Sequence, residues 1–330
     1  MCTAIVVLEG IDPGPYLWWA VQFARVEGNH LLVLSVAKRG SRQGAVALDC
    51  ESADREDPIC TAVRDAVEHE ARCREQLDDA TCEGQVPPVS ERITFAVKHL
   101  AGGQIKELVL TAIRTHKVEL LILPRERGIK SDSPEYELRR QLFRDAPSAV
   151  MQLVASEATA ELARRILVPS RTGKNTSNAL HTAAELAEVN CGQLTALLVL
   201  KDFDAATQVA GERIVRKLVG RYTGDERVEV RPRATVASSV AEGVRREMHK
   251  VYDLVLLGAT YLSRVHRMLF SSVTEQLLTT PNGPPLAVLR PAIPLGSLAM
   301  RMFENFVGES VPQLDRPARL KLVEKVHASS

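Results

Sequence analysis

Aromatic residues make up only 4% of the 330-residue chain, so few side chains are on hand to stack nucleobases. Excess charge of either sign is also missing. The 42 Lys and Arg against 41 Asp and Glu leave a formal net charge of +1, and no global field draws the chain toward nucleic acid. No apolar run approaches the length needed to span a bilayer, and no charged-then-apolar leader precedes the first strand. The six cysteines, Cys2, Cys50, Cys60, Cys73, Cys82 and Cys191, include no C-x-x-C pair and no zinc-ligand spacing. They read as free thiols of a cytoplasmic protein. What remains is an ordinary globular composition, 45% hydrophobic and 25% charged, long enough for two domains that each bury a core.

The most informative stretch is Asp253–Arg290. Leu254–Leu257 is an unbroken apolar run of the kind a strand buried on both faces requires, and Gly258 ends it. A basic loop carrying Arg264, His266 and Arg267 follows. Ser271 and Ser272 are placed to cap a helix that Pro281 stops, and Leu286–Leu289 supplies another short buried strand. A helix start of this kind offers unpaired amides and the positive end of a dipole to an anion.

The rest of the chain alternates in the same way. Strands are expected at 4–8, 31–36, 93–97, 119–123 and 149–154, then at 165–168, 194–200, 228–232, 254–257 and 286–289, with helices between them. AIVVLEG aligns with RILVPSR, LLVLSV with LTALLVL and VELLILP with YDLVLLG, in the same order. Strand and helix in alternation mean parallel strands joined by right-handed crossovers, hence two doubly wound α/β domains at 1–157 and 163–293. Lys38–Pro58 reads as a surface insertion, and the charges along 59–77 as a solvated face. Trp18 and Trp19 are adjacent, so one is expected in the core and the other at an edge or interface.

In such sheets ligands sit beyond the strand C-termini, where strands one and four diverge. That rule selects Pro169, Ser170, Arg171, Gly258, Ser271 and Ser272 in the second half, and Glu9, Gly10, Pro124 and Arg125 in the first. The segment RTGKNTS lacks the upstream glycine of a P-loop and separates Lys174 from Thr176, so it reads as a surface loop. The isolated histidines lack ligand spacing, and no nucleophile, base and orienter set is found.

These residues resemble the universal stress proteins. That family's nucleotide loop runs Gly, two residues, Gly, nine residues, Gly, then Ser or Thr. Here the positions fall on Gly258, Tyr261, Ser271 and Ser272, with the spacing kept and two glycines replaced. The resemblance implies two tandem five-stranded parallel sheets in the order three, two, one, four, five. It also implies an adenine nucleotide, ATP or another, held weakly in the second half by Pro169, Ser170, Arg171, Gly258, Tyr261, Ser271, Ser272 and Val273. The loop position of the first half, 125–134, does not match the motif. The family places an acidic residue after strand one; Glu9 resembles it, while Arg171 stands at that place in the second half.

Residues 294–330 fall outside both halves and show two amphipathic helical stretches. VPQLDRPARLKLVEKV is similar to the lead-in to the membrane region of a family of hydrophobic multi-span proteins. Two functions follow as expectations. One is a non-enzymatic, cytoplasmic regulatory module with its domains packed as a pseudo-dimer, self-association left open. The other is the cytosolic regulatory domain of a membrane transporter, with no nucleotide bound and a membrane region C-terminal to Ser330.

Overall fold

Apolar runs such as Leu120–Pro124 and Leu254–Gly258 bury nearly every side chain because each strand is covered on both faces, which is why they lack the alternation of a half-exposed strand. The structure, a computed structural model, describes residues 2–37, 46–48, 57–78, 92–101, 104–126, 133–155, 161–170, 176–200, 205–222, 228–250, 252–259, 273–274, 276–278, 280 and 283–292. The 294–330 tail, with its two expected amphipathic helical stretches, lies outside them.

The first half contains β1 (Thr3–Leu8), α1 (Gly14–Val26), β2 (His30–Val36), β3 (Val46–Leu48), α2 (Pro58–Asp78), β4 (Thr94–Leu100), α3 (Ile105–Thr115), β5 (Leu120–Pro124), α4 (Pro134–Asp145) and β6 (Ala149–Val154). The second contains β7 (Arg165–Ser170), α5 (Thr176–Val189), β8 (Gln193–Leu200), α6 (Ala205–Tyr222), β9 (Glu229–Val236), α7 (Val240–Met248), β10 (Leu254–Gly258) and β11 (Leu286–Arg290). The sheet order is β3-β4-β2-β1-β5-β6-β11-β10-β7-β8-β9. With β3 set aside, each half thus runs three, two, one, four, five, and its own pairings are parallel.

Two further pairings complete the sheet. The two parallel sheets join into one eleven-stranded sheet, because their final strands pair antiparallel with Leu153 opposite Ala287 and Met151 opposite Leu289. Pairing the apolar edges in this way removes two exposed templates for aggregation. In addition, the supposed plain insertion supplies β3, which pairs antiparallel with β4.

Helices cover both faces. On one, α1, α2, α5 and α6 enclose a single core that runs through both halves, from Ile5 and Trp19 to Ile166 and Leu194. On the other, α3 and α4 cover the first half, while α7 with Leu277 and Leu278 covers the second. The position of α1 corrects the tryptophan expectation. It packs against β1, β2, α2 and α5, and Tyr16 through Ala24 are all buried. Trp19 lies in the core near Phe23, and Trp18 is also buried, with Nε1 donating to the Glu161 carbonyl at 3.3 Å and its ring beside His69. A helix packed all round buries adjacent residues on different faces.

Charge in α2 needs a similar correction. Glu70 and Arg74 are buried, and Glu70 binds both Arg74 and Arg25. The cysteines also differ from expectation: Cys60 and Cys191 are disulfide-bonded, Cys2 and Cys73 are free thiols, and Cys50 and Cys82 lie outside the described residues. Spacing along the chain does not reveal pairs that the fold brings together.

Glu27 closes α1 in a half-buried setting. Burial, followed by the nearby Glu185 and Glu119 carboxylates, pushes its carboxyl from the ordinary 4.5 up to about 7. The folded protein therefore holds a proton that the unfolded chain releases. This favourable contribution is complete below about pH 4.5 and is lost as pH rises through 7. Glu27→Gln keeps the neutral form at every pH. After allowance for partial exposure, it should stabilise the fold by about 1–2 kcal/mol above pH 7 and hardly at all near pH 4, read as the shift in urea midpoint across that range.

Candidate functional site

The adjacent parallel strands β7 and β10 mark the point in the second half where the chain turns outward in opposite directions, toward β8 on one side and β11 on the other. Their register pairs Leu254 with Ile166; carried four residues on, it sets Gly258 level with Ser170 at the C-terminal edge. Ser170 is buried, and its Oγ donates to the Val168 carbonyl at 3.3 Å. Gly258 is followed by Ala259, whose amide donates to the Leu289 carbonyl at 2.7 Å, so the backbone leaves the sheet tied to β11. Pro169 pairs with Leu197 of β8.

The structure thus brings Pro169, Ser170 and Gly258 to one edge. Val273 is helical, and its half-buried side chain packs against the core that holds Val244 and Val255. The expected site residues Arg171, Tyr261, Ser271 and Ser272 lie outside the described residues, as do Arg264, His266 and Arg267.

The matching edge of the first half is built differently. Glu9 and Gly10 are exposed after β1, and Gly10 takes φ 93°, a left-handed turn that glycine makes without strain. Arg125 is buried: its amide donates to the Leu153 carbonyl at 2.7 Å, its own carbonyl accepts from the Tyr16 hydroxyl at 3.1 Å, and its guanidinium lies 5.8 Å from the Tyr136 ring centre. Nearby on α4, Arg139 is also buried, with Nε and Nη1 lacking any hydrogen-bond partner. Burial lowers its pKa, partly offset by Glu126. The sequence reading identified Arg125 here but missed Tyr16 and Arg139, because α1 and α4 bring them in from more than a hundred residues apart. This edge of the first half thus carries the protein's own buried cationic and aromatic side chains.

Among the described residues no group of His, Cys, Asp or Glu is arranged to hold a metal, and no helix is long and apolar enough to cross a membrane.

A model of the universal stress protein family matches residues 163–288, the half that holds Ser170 and Gly258. No curated protein sequence matches the chain. Among solved structures, a universal stress protein from Archaeoglobus fulgidus is similar over 88% of this chain and 96% of its own, at 16% identity and TM-score 0.54. A putative universal stress protein from Pseudomonas aeruginosa is similar over 88% and 93%, at 15% identity and TM-score 0.53. The cytoplasmic domain of a prokaryotic cation chloride cotransporter is similar over 90% and 98%, at 13% identity and TM-score 0.51. At these identities the solved structures establish the shared fold. Residues 163–288, the stretch that the family model matches, form a universal stress protein domain within this chain.

Proposed function

We propose that this chain is a non-enzymatic regulatory module that senses an adenine nucleotide at the C-terminal edge of β7 and β10. The observation that carries the reading is that Ser170 and Gly258 end the adjacent parallel strands β7 and β10, at the switch point of the half that the family model covers. In the sequence, Gly258 also opens the family's loop spacing, and Ser272 stands at its hydroxyl position. Helix-start amides with Arg264 or Arg267 would supply charge-assisted bonds to phosphate, each contributing about 1.5–3 kcal/mol. Against this, Tyr261 and Ser271 replace the two glycines that allow phosphates close to backbone, and Arg171 replaces the acidic contact.

The expected balance is an affinity no tighter than roughly micromolar, about −8 kcal/mol. Titration calorimetry of ATP into the whole chain tests it, and Tyr261→Gly with Ser271→Gly should bind more tightly. A nanomolar wild type, or a folded double variant of unchanged affinity, would refute the glycine argument. The first half is expected to contribute no nucleotide site, since 125–134 does not match the family's loop. The non-enzymatic part of the reading rests on the lack of a catalytic constellation in the sequence. ATP-dependent phosphate release that Ser272→Ala abolishes would overturn it.

A second reading is a cytosolic regulatory domain attached to a membrane transporter. It is supported by the fold shared with the cotransporter's cytoplasmic domain over nearly the whole of both chains, and by the resemblance at 311–326. A reading frame that continues past Ser330 into long apolar segments would favour it, and one that stops there would oppose it.

A further inference from the structure

At the end of the second sheet opposite Ser170 and Gly258 lies a cavity of about 690 Å³. Its floor is the start of the strands, reached at Arg165, Gln193, Glu229 and Asp253, and its far wall is the last turns of α2. Both halves therefore build it, and its volume falls in the range of small-molecule sites.

Most of its charge is already satisfied. Asp253 accepts from the amides of Arg164 at 3.0 Å and Arg165 at 2.7 Å, and from Arg165 Nη2 at 2.7 Å. Glu229 is paired with Arg231 at 2.7 Å. Besides the exposed Gln76, three polar groups stand apart. Arg164 has a single long contact from its guanidinium, 3.5 Å to the Cys191 carbonyl. Gln193 Oε1 is buried and receives no hydrogen bond. Glu161 presents an exposed carboxylate that makes no ion pair among the described residues. Between them Leu77 and Leu162 supply apolar wall.

Arg164 is also held ready. Its amide is bound by Asp253, its carbonyl accepts from the Gln193 amide at 2.6 Å, and a Cβ on Gly192 would collide with that carbonyl. The backbone is clamped from two sides, so the side chain is presented to the cavity with little left to order on binding.

We propose that this cavity binds a small zwitterion with an aliphatic body, of amino-acid or dipeptide size. Its carboxylate lies on Arg164, its ammonium donates to Gln193 Oε1 and faces Glu161, and its aliphatic part covers Leu77 and Leu162. A guanidinium selects a carboxylate, and a buried acceptor without a donor selects an N–H group, because leaving it unpaired is costly. The site is separate from the proposed nucleotide edge and lies a strand's length away from it.

The test is calorimetric titration of the whole chain with L-leucyl-L-leucine, its N-acetyl form and its C-terminal amide. The free dipeptide should bind, and each blocked form should bind at least about tenfold more weakly. Arg164→Ala should erase the preference for the free carboxylate, Arg164→Lys should keep most of it, and Gln193→Leu with Glu161→Gln should erase the preference for the free amine. Circular dichroism confirms that each variant is folded, and ATP affinity on the same variants should not change. No binding of the dipeptide at millimolar concentration, or equal binding of the free and blocked forms, overturns the proposal.

Discussion

Replacing Glu70 with alanine should cost the fold about 3–5 kcal/mol, because it takes the carboxylate from the buried Arg74 guanidinium. Glu70 is wholly buried and binds Arg25 at 2.8 Å and also Arg74. Arg74 continues the network, donating to the Val189 carbonyl at 2.7 Å and to Asn190 Oδ1 at 2.9 Å. Asn190 in turn donates to Gln22 Oε1 at 3.2 Å and to the Ala163 carbonyl at 3.1 Å. The network thus runs from α1 and α2 of the first half to the end of α5 and the approach to β7 in the second. Removing its single carboxylate leaves Arg74 with two neutral acceptors in a desolvated site. Glu70→Leu combined with Arg74→Leu should lie much nearer wild type than Glu70→Ala, since an apolar pair of similar volume avoids the desolvation cost altogether. Urea unfolding of the three proteins checks both statements. A loss below about 1 kcal/mol for Glu70→Ala would place the pair among exposed bridges and contradict the observed burial.

The second large effect is expected at the seam between the halves. Leu153 is fully buried, sits opposite Ala287 in the antiparallel β6–β11 pairing, and belongs to the core that runs through both halves. Leu153→Asp places a carboxylate where water does not reach it, and the expected loss is about 4–5 kcal/mol at neutral pH. Part of that loss should be recovered in acid. A buried carboxyl has a raised folded-state pKa, so its penalty is absent below the unfolded value and complete only above the folded one. Gln152 is half-buried in the same strand, and Gln152→Thr should change stability little. If Leu153→Asp were as mild as Gln152→Thr in urea melts at pH 7, the continuous seam would not be a principal support of the fold.

Much of the fold is written locally. Apolar runs ending in Gly or Pro, such as those closing at Pro124 and Gly258, mark doubly covered strands. Alternation with helical periodicity then requires parallel pairing, and most observed element limits lie within about three residues of those expected. The candidate edge was legible for the same reason, since a parallel sheet carries its ligand edge at the strand C-termini. That rule needs only the order of the elements to find Ser170 and Gly258. The opposite cavity was not legible: Arg164, Gln193 and Asp253 look like turn residues at strand starts, and nothing nearby in sequence shows that α2 closes over them.

From residue order alone come the fold class, the two five-strand halves, the family's loop spacing at Gly258 and the apolar final strands that seek a partner. These are properties of a residue and its near neighbours, decided by period, propensity and turn chemistry. Whether Glu70 and Arg74 face water or each other, and whether Trp18 is at an edge or in the core, depends on chain segments far away in sequence. Glu70 takes its second cation from 45 residues away, and Arg74 takes its acceptors from 115 and 116 away. The same holds for Gln193 Oε1, whose missing donor is apparent only once α2 stands across from β8. A charged residue in a helix carries no local mark of burial, because the energy of burial is set by what packs on it, and only the tertiary structure supplies that.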